Sequence, residues 1–278
     1  PYRDCNCGYD DLSNTNPQCT YRTLDELREA KRRKHNDDDR GKEYYQSRSM
    51  YDIRNALVDK NLPLSDRIHG LYKLFPPELL HTSGSGLIMY MFESLRYQIG
   101  GGQDRDVIDQ LHIDISNIIK RQSERDFPRG SMRNGLIDGT KCQSSERKGN
   151  LFRLLCIAHT SRGSSVLKRC LKHSDRRWKQ FIEFLKLYLS MEEWFHDSND
   201  KQEVRCARDE ISKVLLSLQK FFPRKDNTNG YNLPKMHGMT KMQEYITLFG
   251  SGINFFGGPG ESAHKQFIKI PGQRTQRR

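Results

Sequence analysis

Apolar side chains recur at three- and four-residue intervals along three long stretches of this chain, a pattern typical of amphipathic helices. The first stretch runs from Asp104 to Arg125. Two more, from Trp178 to Phe195 and from Val204 to Phe222, are separated by a short polar segment around Asp197. A short link between two such helices favours an antiparallel pair. The pattern therefore predicts a mainly helical region between residues 104 and 222.

Shorter segments flank this helical region. Pro76 and Pro77 precede a hydrophobic helix expected from Leu87 to Leu95, and a short amphipathic helix in the C-terminal quarter ends at Gly250. The C-terminal helix is predicted to bury Met239, Met242, Tyr245, Ile246 and Phe249. Extended structure is expected in a small β-sheet near residues 60–80 and again at residues 251–256, around the apolar run from Ile253 to Phe256. The predicted fold class is mainly α with a small α/β part.

The order of these elements divides the chain into four expected segments. Residues 1–45 form a cysteine-containing knuckle and a basic helix, and residues 46–100 form a mixed segment. Residues 101–232 form the helical region, and residues 233–278 form a C-terminal segment with a basic tail. No stretch approaches the ~20 apolar residues of a membrane span, so no membrane association is expected.

The chain carries a strong excess of positive charge. Of its 278 residues, 47 are Lys or Arg and 35 are Asp or Glu, which gives a formal net charge of +12. Such a balance favours a polyanionic partner, and nucleic acid above acidic small molecules. The candidate phosphate-binding side chains of the basic tail are Lys265, Lys269, Arg274, Arg277 and Arg278. A basic surface that only keeps the protein soluble is the alternative.

Three of the seven cysteines crowd the N-terminal segment. Cys5, Cys7 and Cys19 supply three thiolates for a structural zinc ion, which needs a fourth ligand from His35 or from residues upstream of Pro1. The Cys-x-Cys spacing is shorter than the usual gap of two to four residues, so metal-free thiols are the alternative. The odd cysteine count and the lack of a secretory signal favour a reducing compartment.

Two motifs carry candidate acid–base chemistry. In the first, Glu78 precedes His81 by three residues, directly after the two prolines. In the second, a Gly-Gly-Pro-Gly turn at residues 257–260 leads to Glu261 at the start of a predicted helix. A carboxylate in such a place suits a metal-dependent phosphoryl-transfer site. Residue chemistry alone favours the alternative, a glycine loop followed by a glutamate that interacts with the positive end of the helix dipole.

Taken in order, these motifs resemble those of a known family. Four motifs carry the resemblance: the Cys-x-Cys knuckle, the Pro-Pro-Glu-Leu-Leu-His corner, the Pro-Lys-Met-His stretch at residues 234–237 and the Gly-Gly-Pro-Gly-Glu-Ser-Ala-His-Lys run. The chain resembles the C-terminal part of eukaryotic CACTA-superfamily DDE transposases, especially the Plavaka-like branch. The resemblance implies a partial RNase H-like catalytic core that carries a large helical insertion. Segments 46–100 and 233–278 would then belong to the core.

The resemblance also implies two Mg²⁺ or Mn²⁺ ions held by three carboxylates, which cut and join DNA phosphodiesters. Glu78 takes the second acidic position with His81 beside it. The family usually has Asp at this position, so Asp66 is a rival. Glu261 is the preferred third acid, with Glu146 as the runner-up. The first acid is expected upstream of Pro1, so this piece alone is not expected to be a complete catalyst.

Three functions therefore remain open. The first is a fragment of a nuclear metal-dependent DNA transposase, which binds DNA and takes part in strand cleavage and transfer. The second is a noncatalytic nucleic-acid-binding module derived from a transposon, and the third is a helical scaffold that binds protein. Whether copies of the chain associate is left open.

Overall fold

The computed structural model describes residues 7, 9–15, 26, 29, 32–33, 76–123, 135–138, 142–197, 201–225, 229–257 and a few positions between 260 and 270. Helices make up 79% of this part, and it contains no strand. The fold is therefore mainly α, as the periodicity predicts. None of its helices has the length and hydropathy needed to cross a bilayer.

Eight α-helices and one π-helix make up most of the described part. In chain order they are the π-helix Leu80–Leu87, α1 (Ile88–Ile99), α2 (Gln103–Ser123), α3 (Ser144–His159), α4 (Ser161–Cys170), α5 (Asp175–Asp197), α6 (Lys201–Phe221), α7 (Pro234–Thr240) and α8 (Met242–Phe249). Single-turn 3-10 helices lie at Tyr9–Asp11 and Gly252–Phe255.

Helices α5 and α6 form the predicted antiparallel pair, and aromatic side chains fill the space between them. Phe181 is fully buried, and its ring centroid lies 5.7 Å from the centroids of Phe221 and of Phe222. Trp178 stacks on Phe181 at 5.3 Å, and Phe184 contacts both C-terminal phenylalanines of the pair. This aromatic cluster is the centre of the apolar core.

Thr160 ends one helix and begins the next. It is the C-cap of α3, and its Oγ1 accepts a hydrogen bond of 3.0 Å from the backbone N–H of Gly163 in the first turn of α4. A threonine oxygen in this position satisfies an N–H that the helix itself leaves unpaired. Gly163 is required because a Cβ at this position would collide with the carbonyl oxygen of Ile157. The two helices therefore meet at a sharp corner, and both pack against α2.

Segments far apart in sequence meet at the π-helix. It packs against α1 and α3, and also against α7 near the other end of the chain. The 3-10 helix at Gly252–Phe255 packs on the last turns of α5, where Ser251 Oγ donates to the carbonyl of His196. These contacts bring the C-terminal quarter close to the Pro-Pro-Glu corner.

Two details of the sequence expectation are wrong, and a third falls mostly outside the described residues. The run from Ile253 to Phe256 is mostly 3-10 helix instead of extended, because Ser251 begins a turn in which its Oγ accepts from the N–H of Ile253. No sheet occurs at residues 76–80, where the π-helix begins, and the rest of the segment predicted to form a sheet lies outside the described residues. The C-terminal amphipathic helix is interrupted at Lys241, and Phe249 at its end is 36% exposed, whereas the other four predicted core residues are buried.

Candidate functional site

The carboxylate of Glu78 lies at the start of the π-helix and accepts four hydrogen bonds. Its Oε1 accepts from the backbone N–H of Leu80 at 2.6 Å, and its Oε2 accepts from the N–H of His81 at 2.9 Å. Nδ1 of His81 donates to the same Oε2 at 2.5 Å. The fourth donor, the backbone N–H of Gly257, lies 2.7 Å from Oε1. Glu78 therefore caps the helix, orients the imidazole and binds the glycine-rich turn.

The contact with Gly257 joins the two motifs that the sequence singles out. A Cβ at position 257 would lie 2.8 Å from Cδ of Glu78, a distance that real Cβ atoms essentially never show. A larger residue at this position would push the Glu78 carboxylate aside, so glycine allows the backbone to approach it this closely. Glu261 follows Gly257 by four residues in the sequence, although Glu261 itself lies outside the described residues.

His81 is the more accessible member of this pair. Its side chain is 54% exposed, whereas that of Glu78 is 25% exposed. A carboxylate bound to one ring nitrogen fixes the tautomer and the orientation of an imidazole, and such a ring can serve as a proton acceptor or as a metal ligand. The geometry thus presents His81 to solvent with Glu78 behind it.

A buried arginine and a half-buried lysine reach backbone carbonyls of the π-helix. Arg147 on α3 donates to the carbonyl of Gly84 at 3.2 Å, and Lys235 on α7 donates to the carbonyl of Ser85 at 2.9 Å. Burial lowers the pKa of both groups. Gly86 leaves room for the lysine, because a Cβ there would lie 2.7 Å from its Cδ. The π-helix is therefore held between α3 and α7 by charged hydrogen bonds to its own backbone.

A buried polar cluster lies behind the π-helix. Ser83 Oγ donates to the carboxyl of Glu192 and lies 3.0 Å from the hydroxyl of Tyr188, and all three residues are buried. Burial raises the pKa of the Glu192 carboxyl, with smaller opposing effects from the Ser83 hydrogen bond and from Lys148. It also raises the pKa of the Tyr188 hydroxyl. The cluster therefore favours a protonated Glu192, which can be buried at lower cost than a carboxylate.

The structure describes three residues of the predicted sites, together with the runner-up acid. Glu78 and His81 are in direct contact, and Cys7 is buried in the N-terminal segment. Glu146 lies in the first turn of α3, where its carboxylate accepts from the backbone N–H of Gln143 at 3.0 Å. No group of three potential metal ligands occurs among the residues that the structure describes. The remaining candidates, which lie outside those residues, are Asp66, Glu261, Cys5, Cys19, His35, Lys265, Lys269, Arg274, Arg277 and Arg278.

Sequence reasoning missed the polar residues that surround the π-helix. Arg147, Ser83 and Glu192 each lie in a segment whose pattern indicates only helix or turn. The one available signal was the Ser-Gly-Ser-Gly run at residues 83–86, because four such residues are unfavourable in an ordinary α-helix. Their presence inside a helix indicates that side chains from elsewhere compensate for the weak local preference.

Comparisons of the chain with models of known families, with curated proteins and with solved structures found no match.

Proposed function

We propose that this chain is part of a metal-dependent DNA transposase related to the CACTA superfamily, and that it contributes DNA binding and one corner of the catalytic site. The observation that carries the proposal is the hydrogen bond between Glu78 and Gly257. It joins the Pro-Pro-Glu-Leu-Leu-His motif to the glycine-rich turn before Glu261, and these are the two motifs on which the resemblance chiefly rests.

The packing of the helices supports the same division of the chain. The π-helix, from the second expected segment, packs on α7, from the fourth. In the proposed enzyme these two segments belong to an RNase H-like core, and residues 101–232 form its helical insertion. The net charge of +12 supports DNA as the partner.

The described arrangement of Glu78 does not suit a divalent metal ion. A carboxylate has about four lone-pair positions, and backbone and imidazole groups already use four. A metal ion would have to displace His81 or Gly257. We therefore derive no metal-dependent step from Glu78 and assign it the positioning of His81 and of the glycine turn.

A second function is favoured by this same engagement of Glu78. If the carboxylate is only a cap and a tether, the chain is a noncatalytic DNA-binding module of transposon origin. Both functions predict binding to duplex DNA, and they differ in whether divalent metal ions change that binding.

The test is a fluorescence anisotropy titration of duplex DNA with the chain, in EDTA and in Mg²⁺ or Mn²⁺. The variants are Glu78→Gln, Glu261→Gln and the double variant, with Glu183→Gln as a control at an exposed glutamate on α5. Gly257→Ala adds a Cβ against Glu78, and Gly101→Ala is its control because a Cβ there meets nothing within 4 Å.

For a transposase fragment we expect metal to tighten DNA binding, and we expect Glu261→Gln to remove that gain through the loss of a metal ligand. Glu78→Gln and Gly257→Ala should remove it too, because Glu78 positions the glycine turn that leads to Glu261. The double variant should lose no more than Glu261→Gln alone, because Glu78 affects metal binding only through the position of the turn before Glu261. If the chain binds DNA equally well with and without metal, and none of these variants alters that binding, the noncatalytic module is the function that remains. A chain that does not bind DNA even at low salt would exclude both functions.

A further inference from the structure

A cleft of about 550 Å³ lies between the C-terminal half of α1 and the segment that follows α6. Two tyrosines from α1, Tyr90 and Tyr97, line it, together with Arg224 and Lys225 from the opposite side. The tyrosines are seven residues apart, so they lie on the same face of the helix two turns apart. Small-molecule sites in proteins have volumes of about 300–1,000 Å³, and this cleft is within that range.

Side-chain hydrogen bonds fix the wall opposite α1. The carbonyl of Pro223 accepts from Ser94 Oγ at 2.6 Å, and the carbonyl of Phe221 accepts from Gln98 Nε2 at 3.3 Å. The carbonyl of Phe222 between them accepts from the hydroxyl of Tyr231 at 2.8 Å. These carbonyls at the end of α6 have no partner within the helix, so their side-chain partners hold the segment in place. The cleft is therefore built into the fold.

Each tyrosine ring faces a cation. The guanidinium carbon of Arg224 lies 4.2 Å from the centroid of Tyr90, and Nζ of Lys225 lies 5.6 Å from the centroid of Tyr97. Arg224 is further fixed by a hydrogen bond of 2.8 Å to the carbonyl of Gly230. Tyr97 is 56% exposed. A fixed guanidinium plane and an exposed phenol ring both provide flat surfaces on which another ring can stack.

Positive charge dominates the cleft. Arg96, Arg224 and Lys225 line it, and Glu93 is the one acidic residue among its described lining residues. Arg96 also forms a 3.5 Å ion pair with Asp138, and its side chain remains 54% exposed. Aromatic rings beside arginine and lysine form the usual platform for unpaired bases, with the cations close to the phosphates.

We propose that this cleft binds an unpaired nucleotide of single-stranded DNA, with its base stacked on Tyr97 and its phosphate close to Lys225 and Arg96. Duplex DNA does not fit the same role, because its bases are stacked on one another and cannot reach a side-chain platform. The site is separate from Glu78 and does not require chemistry there.

The test measures the affinity of the purified chain for a fluorescein-labelled oligothymidylate of roughly eight nucleotides, within the range of 4–16 that single-strand sites cover. Tyr97→Leu should weaken binding by roughly tenfold, because loss of one stacking partner has an effect of this order. Tyr97→Phe should retain the affinity. Affinity for duplex DNA of the same length should be unchanged in both variants.

Two controls separate stacking from a general effect of exposed aromatic or charged residues. Phe267→Leu removes another exposed ring, which is 74% exposed, and should leave single-strand affinity within twofold of the unchanged chain. Lys225→Gln should weaken binding and reduce its salt dependence, whereas Lys213→Gln, which removes an exposed charge on α6, should do neither.

Equal single-strand affinity of Tyr97→Leu and the unchanged chain would overturn the proposal. So would an equal loss in Phe267→Leu, or a loss of duplex binding that parallels the loss of single-strand binding. The outcome is independent of the metal titration, because Glu78 is not among the residues that line the cleft. A chain that binds single strands through Tyr97 without any response to metal would support this site and reject the transposase function.

Discussion

The α5–α6 pair and the π-helix are stabilised in contrasting ways. Between α5 and α6 the contacts are ring against ring, centred on Phe181. Around the π-helix the contacts are polar: Arg147 and Lys235 bind backbone carbonyls, and Ser83 binds a buried glutamate. The first region needs only apolar residues at helical spacing. The second needs particular partners from helices that are distant in sequence.

This difference explains why the α5–α6 pair can be predicted from the sequence and the surroundings of the π-helix cannot. Apolar burial is non-directional, so a sequence with the right period forms the helix pair with many possible residues. A hydrogen bond to a backbone carbonyl depends on the position of one side chain, and the loss of that side chain leaves a buried polar group unpaired. We therefore expect the two regions to respond differently to substitution and to pH.

The largest effect is expected from Phe181→Ala. Truncation of a fully buried phenylalanine removes its transfer free energy and leaves a cavity, so the free energy of unfolding should fall by about 3–5 kcal/mol. Urea denaturation followed by circular dichroism measures the change. Leu187→Ala on the same helix is the control, because Leu187 is 51% exposed, and a loss as large as that of Phe181→Ala would contradict the aromatic cluster as the centre of the core.

Ser83→Ala should have the next largest effect. The substitution removes the hydroxyl that both Glu192 and Tyr188 contact, and these two groups remain buried. We expect the free energy of unfolding to fall by about 1–3 kcal/mol, the usual cost of an unpaired buried polar group. Ser165→Ala, on the exposed side of α4, is the control. An unchanged denaturation midpoint in Ser83→Ala would mean that the polar cluster does not stabilise the π-helix.

Lys235→Met should have a smaller effect. The methionine keeps most of the apolar stem and loses the hydrogen bond to Ser85, so we expect a loss of about 1 kcal/mol in the free energy of unfolding. Hydrogen exchange of the amides between residues 84 and 89 gives a local readout, and their protection should decrease more than that of α5. Equal protection in the variant and the unchanged chain would show that α3 alone holds the π-helix.

The smallest effects concern pH, and the two regions should differ in sign. Burial raises the pKa of Glu192 above its ordinary value of 4.5, so the folded chain binds more protons than the unfolded chain above that pH. The free energy of unfolding should therefore fall as the pH rises through this window. Burial lowers the pKa of His173, which contacts the rings of Phe181 and Phe221, below its ordinary value of 6.5. The contribution of the buried neutral His173 to the free energy of unfolding should therefore be lost as the pH falls below 6.5.

Denaturation series between pH 4 and pH 8 separate these two contributions. Glu192→Gln should remove the fall in the free energy of unfolding on the alkaline side of the series. His173→Leu should remove the fall in the free energy of unfolding on the acidic side. If both variants flattened the same side, the two groups would not titrate as their burial implies.

The long helices and most of their core residues can be predicted from the sequence, because apolar residues repeated every three or four positions form one face of a helix. The pairing of Glu78 with His81 could also be inferred, because residues three apart are neighbours on a helix. Their contact with Gly257 could be inferred only through the resemblance, since no local pattern relates residues 179 positions apart. The interruption at Lys241 and the 3-10 turn at Ser251 depend on tertiary contacts, which override local preference.

The hydrogen bond from Gly257 to Glu78 also has a consequence for biosynthesis. It links two positions that are 179 residues apart, so it forms only after the intervening helices have been made and packed. A nascent chain that has emerged as far as α6 already contains Glu78, His81 and the whole aromatic cluster, and it lacks the donor that completes the corner. The ribosome must therefore extrude the chain at least through Gly257 before this contact exists, which delays any activity at the corner until α8 and the turn after it have been made.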